Sequence, residues 1–294
     1  MHPLIERFVA ESPVLTDGAW GTELQARGLE AGECPDAWNL DHPSRVEYVA
    51  RAYVEAGSRI ILTNTFRANR IALAQYGLSD QIEAINRAGV QISRKAGGRR
   101  ALVFASLGPS GKLLMTGEVS EEELSAAFAE QAKILAGEGA DGLVFETMSD
   151  LAETKLAVRA ARATGLPVVA SMAFDSGKNK DRTMMGATPE QAAVELTAAG
   201  ADVVGANCGQ GIESYVSLCP RLRAATSLPI WIKANAGLPE LADGRVVYKT
   251  SAQQFARHAA AVVEAGATFI GGCCGTRPDF IRALAQSFLH RLAS

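Results

Sequence analysis

The stretch ATFIGGCC, residues 267–274, decides the fold. It starts as a nearly continuous apolar run and ends in two glycines and two adjacent cysteines. It is the eighth run of its kind. The others are PVLTDGA (13–19), RIILTNTF (59–66), ALVFASLG (101–108), DGLVFETM (141–148), PVVASMAF (167–174), ADVVGANC (201–208) and PIWIKANA (229–236). A strand facing water on one side alternates apolar and polar residues, whereas these runs are apolar at successive positions. They read as parallel strands covered on both faces. Between them lie Ala-, Glu- and Leu-rich stretches at helical spacing, such as SRVEYVARAYVEAG (44–57), SEEELSAAFAEQAKILAGEG (120–139), TPEQAAVELTAAG (188–200) and SAQQFARHAAAVVEAG (251–266). Each closes on glycine, a helix C-terminal signal. Ser120 followed by Glu123 predicts a capping box.

Eight such units alternating with helices in 294 residues predict an α/β protein, a (β/α)8 TIM barrel, as a single domain over 1–294. An open doubly wound sheet fits less well: the count is eight, and no G-x-G-x-x-G follows an early strand. The least regular segments are 25–43, 109–118, 175–187 and 235–250. In a barrel these loops build the catalytic face.

Composition narrows the function. The net charge of -3 and four scattered histidines argue against nucleic-acid or membrane surfaces. No run approaches the roughly 18 apolar residues of a membrane span. The opening MHPLIERFVAESPVL lacks the basic and then apolar pattern of an export signal, so a cytoplasmic location is expected. The cysteines number five, an odd count: Cys34, Cys208, Cys219, Cys273 and Cys274. In a chain of this size they predict reduced thiols rather than a disulfide framework.

The polar residues cluster where strands end: Asp17, Asn64 and Thr65, Ser106, Glu146, Asn207 and Cys208, Asn235, then Cys273 and Cys274. Barrel enzymes carry their chemistry at these ends. Cys208 and the Cys273–Cys274 pair end the sixth and eighth strands, so three thiols can meet at one rim. Adjacent strand residues point to opposite faces, and both members of the pair reach one metal only if the chain bends there. Gly271, Gly272 and Gly275 permit that bend. Three thiolates suit zinc, and Asn235 could lend a displaceable oxygen. A metal there would turn an incoming thiol into a thiolate, which points to alkyl transfer to sulfur. Buried core thiols stand as the alternative, and are the default for Cys34 and Cys219. Glu146 follows a buried apolar run and so is expected to meet a cation or amine. Asp17 reads equally as a turn residue, Asn64 and Thr65 as helix caps, and Trp20 and Trp38 as packing.

TDGAWGTELQ (16–25), TNTFRANRIAL (63–73), SLGPSG (106–111), FETM (145–148), GANCGQG (205–211), NAGLP (235–239) and GGCCGT (271–276) occur in that order. Together they resemble the homocysteine S-methyltransferase family over nearly the whole chain. The resemblance implies Zn2+ held by Cys208, Cys273 and Cys274, with homocysteine sulfur in the open position. It implies Glu146 and Asp17 at the substrate's amino group, backbone N–H groups of Gly18 and Ala19 at its carboxylate, and Asn235 as the displaceable oxygen. The methyl donor is expected to be small: betaine, S-methylmethionine or S-adenosylmethionine. Trp20, Trp38 and Phe66 could cradle an onium group, each contact contributing roughly 0.5–2 kcal/mol. Two alternatives stand beside this reading. One is a homocysteine-activating subunit served by a separate corrinoid or folate protein. The other is a non-enzymatic zinc- or thiol-binding barrel. A homo-oligomer is compatible with all three.

Overall fold

The computed structural model describes residues 1–242 and 245–292. Seven strands come first: β1 (Val14–Leu15), β2 (Ile60–Leu62), β3 (Leu102–Leu107), β4 (Gly142–Met148), β5 (Val168–Met172), β6 (Val203–Gly211) and β7 (Ile230–Asn235). A hairpin, β8 (Glu240–Ala242) and β9 (Arg245–Val247), precedes the last barrel strand, β10 (Ala267–Gly272). The order in the sheet is β1-β10-β7-β6-β5-β4-β3-β2, with every ladder parallel. Helices cover the outside, as the runs between strands predict. The capping box at Ser120 and Glu123 is present, and two more start the helices Pro189–Ala199 and Ala252–Glu264. The expected loop over 235–250 is corrected by the antiparallel hairpin β8–β9.

Among the described residues no ladder joins β1 to β2, and the seam is closed by other means. Arg59 N–H donates to Leu15 O (2.8 Å), and Ser58 Oγ to Thr16 O (3.2 Å). Leu62 N–H donates to the Asp17 carboxylate (2.7 Å), so a side chain replaces the missing strand carbonyl.

The floor of the barrel is a plug. The helix Pro3–Ala10 starts with proline in its first turn and a His2 cap, and it buries Ile5 and Phe8. These pack against inward residues of all eight barrel strands, among them Phe104, Val144, Trp231 and Phe269. Phe8 meets Phe269 edge-on at 5.7 Å. Burying each such ring contributes about 1.5–3 kcal/mol. Two residues further along the strands the same inward face turns polar, through Thr16, Ser106, Glu146, Ser171 and Lys233. One more step of two reaches Asn207, Asn235 and Cys273 at the rim. The change from apolar floor to polar mouth is therefore written along each strand at a period of two.

Candidate metal and substrate site

The three thiols meet. The Sγ atoms of Cys208, Cys273 and Cys274 lie within 4.8 Å of one another, and those of Cys208 and Cys274 are 3.8 Å apart. Alternation alone would not gather them. Counting by twos from Phe269 puts Cys273 inside and Cys274 outside, and counting from Val203 puts Cys208 outside. Two irregularities turn the outward pair back. The β6 ladder shifts register between Asn207 and Gly211, and Cys208 adopts a left-handed φ of 61°. That conformation is unfavourable for a residue with a Cβ. The buried Tyr215 hydroxyl donates to Cys208 O (2.6 Å) and holds it in place. After β10 the chain turns at Gly275, φ 80°, where a Cβ would lie 2.3 Å from the Tyr248 ring. The expected bend is thus made at Gly275. Gly271 serves a different need, because a Cβ there would overlap Thr16.

Cys208 is held well below the usual thiol range by hydrogen bonds from the Cys273 and Cys274 thiols, against the effect of burial. The same bonds push Cys273 and Cys274 up. Tyr248 lies against this cluster with its hydroxyl toward Cys274. The donor set fits a zinc ion on two counts. Sulfurs bound at about 2.3 Å to one tetrahedral zinc stand roughly 3.8 Å apart, which matches Cys208 and Cys274. Asn235 Oδ1 is buried with no hydrogen-bond partner among the described residues, and its side chain reaches Cys208.

A charged layer lies below the thiols. Glu146 accepts from Ser106 Oγ (2.5 Å). Burial pushes its carboxyl up, and the Lys233 ammonium works in the opposite direction. Lys233 is buried and ion-paired with Asp17 Oδ1. Burial opposes its charge, while Asp17 and Glu146 together hold its ammonium above the usual lysine value.

Several of the expected site residues also make contacts within the protein. Asp17 is committed within the protein: Oδ1 to Lys233, and Oδ2 to Trp20 Nε1 and Leu62 N, both at 2.7 Å. The Ala19 N–H donates to Thr276 O (2.9 Å), and Gly18 packs so closely on Thr276 and Tyr53 that a Cβ would collide with both. Trp38 is buried, edge-on to His42 at 4.6 Å and with the Arg45 guanidinium 5.2 Å from its ring, the packing role also expected of it. Asn64 does not cap a helix; its amide donates to Pro35 O and Asn39 Oδ1. Thr65 Oγ1 donates to Ser106 O (2.7 Å). Cys34 and Cys219 are packing residues, as expected, and burial pushes Cys219 up to about 12. Sequence reasoning missed Lys233, Tyr215 and Tyr248. Lys233 carried a legible signal, a cation at an inward position of an apolar run. The tyrosines carried none.

A (β/α)8 barrel with three convergent cysteines on its C-terminal rim defines a barrel with a candidate thiol metal site. The family model for homocysteine S-methyltransferase matches residues 14–288, and the chain belongs to that enzyme family. It is 30% identical over 300 residues to methionine synthase of Mycobacterium leprae, covering 95% of this chain but 24% of that one. It is 30% identical over 308 residues to betaine–homocysteine S-methyltransferase 1 of Danio rerio, covering 96% of this chain and 74% of that one. The metallated form of the homocysteine methyltransferase MmuM from Escherichia coli superposes with a TM-score of 0.80 at 25% identity, covering 97% and 99% of the two chains. The chain therefore spans about a quarter of the methionine synthase it matches.

Proposed function

We propose that this protein transfers a methyl group from a small onium donor to the sulfur of homocysteine, giving methionine, at a zinc ion held by Cys208, Cys273 and Cys274. The observation that carries this reading is the convergence of three sulfurs within 4.8 Å beside an orphaned Asn235 oxygen. Cys208, Cys273 and Cys274 would hold the zinc, and its Lewis acidity would lower the proton affinity of an incoming thiol toward neutral pH. The protein's own groups do the rest. Glu146, directed by Ser106, receives the substrate's ammonium. Lys233 balances the two carboxylates of the layer, and Asp17 anchors Lys233 rather than substrate. Of the backbone pair expected at the substrate carboxylate, the Ala19 N–H already donates to Thr276, which leaves the Gly18 N–H as the candidate.

In the transfer a sulfur–carbon bond forms to the methyl group. The donor's nitrogen– or sulfur–carbon bond breaks, and its electron pair leaves on a neutral amine or thioether. Trp20 and Phe66, both half-buried, remain as candidates to face the onium charge. The relatives named for betaine support a small donor. The mycobacterial relatives, in which this barrel is a quarter of the chain, support a second reading in which a separate corrinoid or folate protein supplies the methyl group.

The test is turnover by zinc-loaded protein with homocysteine and each donor in turn: betaine, S-methylmethionine, S-adenosylmethionine and a methyl-corrinoid. Methionine from one small donor supports the first reading, and methionine from the corrinoid alone supports the second. None from any donor, with zinc bound, overturns both in favour of a non-enzymatic barrel.

A further inference from the structure

Glu146 and Cys208 both sit where a barrel ladder breaks. The β4–β5 register shifts between Phe145 and Met148, and the β6–β7 register shifts between Asn207 and Gly211. Beside each break stands a residue in the left-handed region without being glycine: Thr147 at φ 58° and Cys208 at φ 61°. Such conformations cost on the order of 1–3 kcal/mol each and persist only where neighbours over-determine them. Register breaks also re-aim side chains next to active sites.

One side chain joins the two breaks. The Asn207 amide is fully buried and uses its whole hydrogen-bonding capacity. Its Oδ1 accepts from Thr147 N (2.8 Å) and Ser171 Oγ (2.7 Å). Its Nδ2 donates to Thr147 Oγ1 (2.7 Å) and reaches Cys273 Sγ at 3.9 Å. It thus grips the backbone N–H and the hydroxyl of the residue after Glu146, precedes Cys208 in the chain, and touches a second cysteine of the trio. Where the ladder hydrogen bonds are lost, this amide replaces them.

Resting on the homocysteine reading above, we infer that Asn207 is a positioning residue that fixes the distance between the Glu146 carboxylate and the thiol cluster. It thereby makes the site selective for a thiol carrying an ammonium at homocysteine's spacing. It touches neither substrate nor reacting atoms. Its effect passes through Thr147 on one side and Cys273 on the other.

The test uses zinc-loaded protein and needs no methyl donor. Calorimetry gives the affinities for homocysteine and for 4-mercaptobutyrate, which has the same thiol-to-carboxylate spacing but no amine. Chelator competition gives zinc affinity. In Asn207→Ala, zinc affinity is expected to fall about 10–100-fold, the usual effect of losing a partner behind a metal ligand. At full zinc occupancy the preference for homocysteine over 4-mercaptobutyrate is expected to fall by about tenfold or more. Asn207→Asp keeps the acceptor for Thr147 N and Ser171 Oγ, and circular dichroism and the melting temperature check that it folds. It cannot donate to Cys273, and it is expected to lose zinc affinity. An intact preference in Asn207→Ala, or wild-type zinc affinity in Asn207→Asp, overturns the inference alone. Wild-type protein with no preference for homocysteine overturns the substrate reading and the inference together.

Discussion

Lys233 donates to Asp17 across the interior of the barrel, and the two side chains are only 2% and 0% exposed. A buried pair of this kind adds little net stability relative to an apolar pair, yet breaking it leaves a charge stranded. Lys233→Met is therefore expected to destabilise the fold by about 3–5 kcal/mol. The double variant Lys233→Met with Asp17→Asn is expected to recover part of that loss, because the stranded charge is gone. Urea unfolding measures both. A single-variant loss under about 1 kcal/mol would mean that water or another group compensates Asp17.

Replacing Cys208, Cys273 or Cys274 singly with alanine is expected to leave a folded barrel that no longer retains one equivalent of zinc after a chelator wash. Cys219→Ala serves as the control and keeps its zinc, since Cys219 is buried with its thiol toward Ala265 O. Metal analysis decides the matter. Stoichiometric zinc in any two of the three rim variants would remove the ligand assignment.

Glu146→Gln keeps the shape of the side chain and its contact with Ser106 but removes the charge. A hydrogen bond to a charged partner is worth about 1.5–3 kcal/mol, so homocysteine is expected to bind at least about tenfold more weakly while zinc content stays unchanged. Affinity equal to wild type would move the ammonium site elsewhere.

Asp36 provides a pH prediction away from the thiols. It is buried, accepts from Arg67 N–H at 3.0 Å and lies near the Cys34 thiol. Burial raises its carboxyl to about 7. A carboxyl raised on folding stabilises the protein most below its unfolded value, and that contribution is lost as pH rises through the folded one. The wild type is thus expected to lose thermal stability relative to Asp36→Asn between about pH 4 and 7. The melting-temperature difference between the two proteins should widen across that range. A difference that stays constant with pH would show that Asp36 ionises freely.

Much of this was legible beforehand. Eight apolar runs gave the barrel, because burial on both faces leaves a direct trace in composition. The convergence of Cys208, Cys273 and Cys274 followed from strand order. The internal partners of Asp17 and Ala19 were not legible: the sequence marks the two as polar or rim-lying, but not whether another part of the chain also engages them. Lys233 and Thr276, which engage them, are 216 and 257 positions away. Tyr215 and Tyr248 were invisible because ordinary core tyrosines look identical in sequence. The left-handed turn at Cys208 has no local signal either, since it is imposed from outside by Tyr215 and by the broken ladder.

The seam between β1 and β2 has a dynamic consequence. Every other neighbouring pair of barrel strands shares a ladder, but among the described residues this junction depends on two backbone-to-side-chain bonds and one backbone pair, with a carboxylate standing in for a peptide group. Cooperative opening begins where the fewest backbone bonds must break together. In deuterium exchange, the amides of Arg59 and Leu62 should lose protection before those of β4 and β5. Because the acceptor for Leu62 also holds Lys233, breathing at this joint would reach the charged layer beneath the thiols without disturbing the rest of the barrel wall.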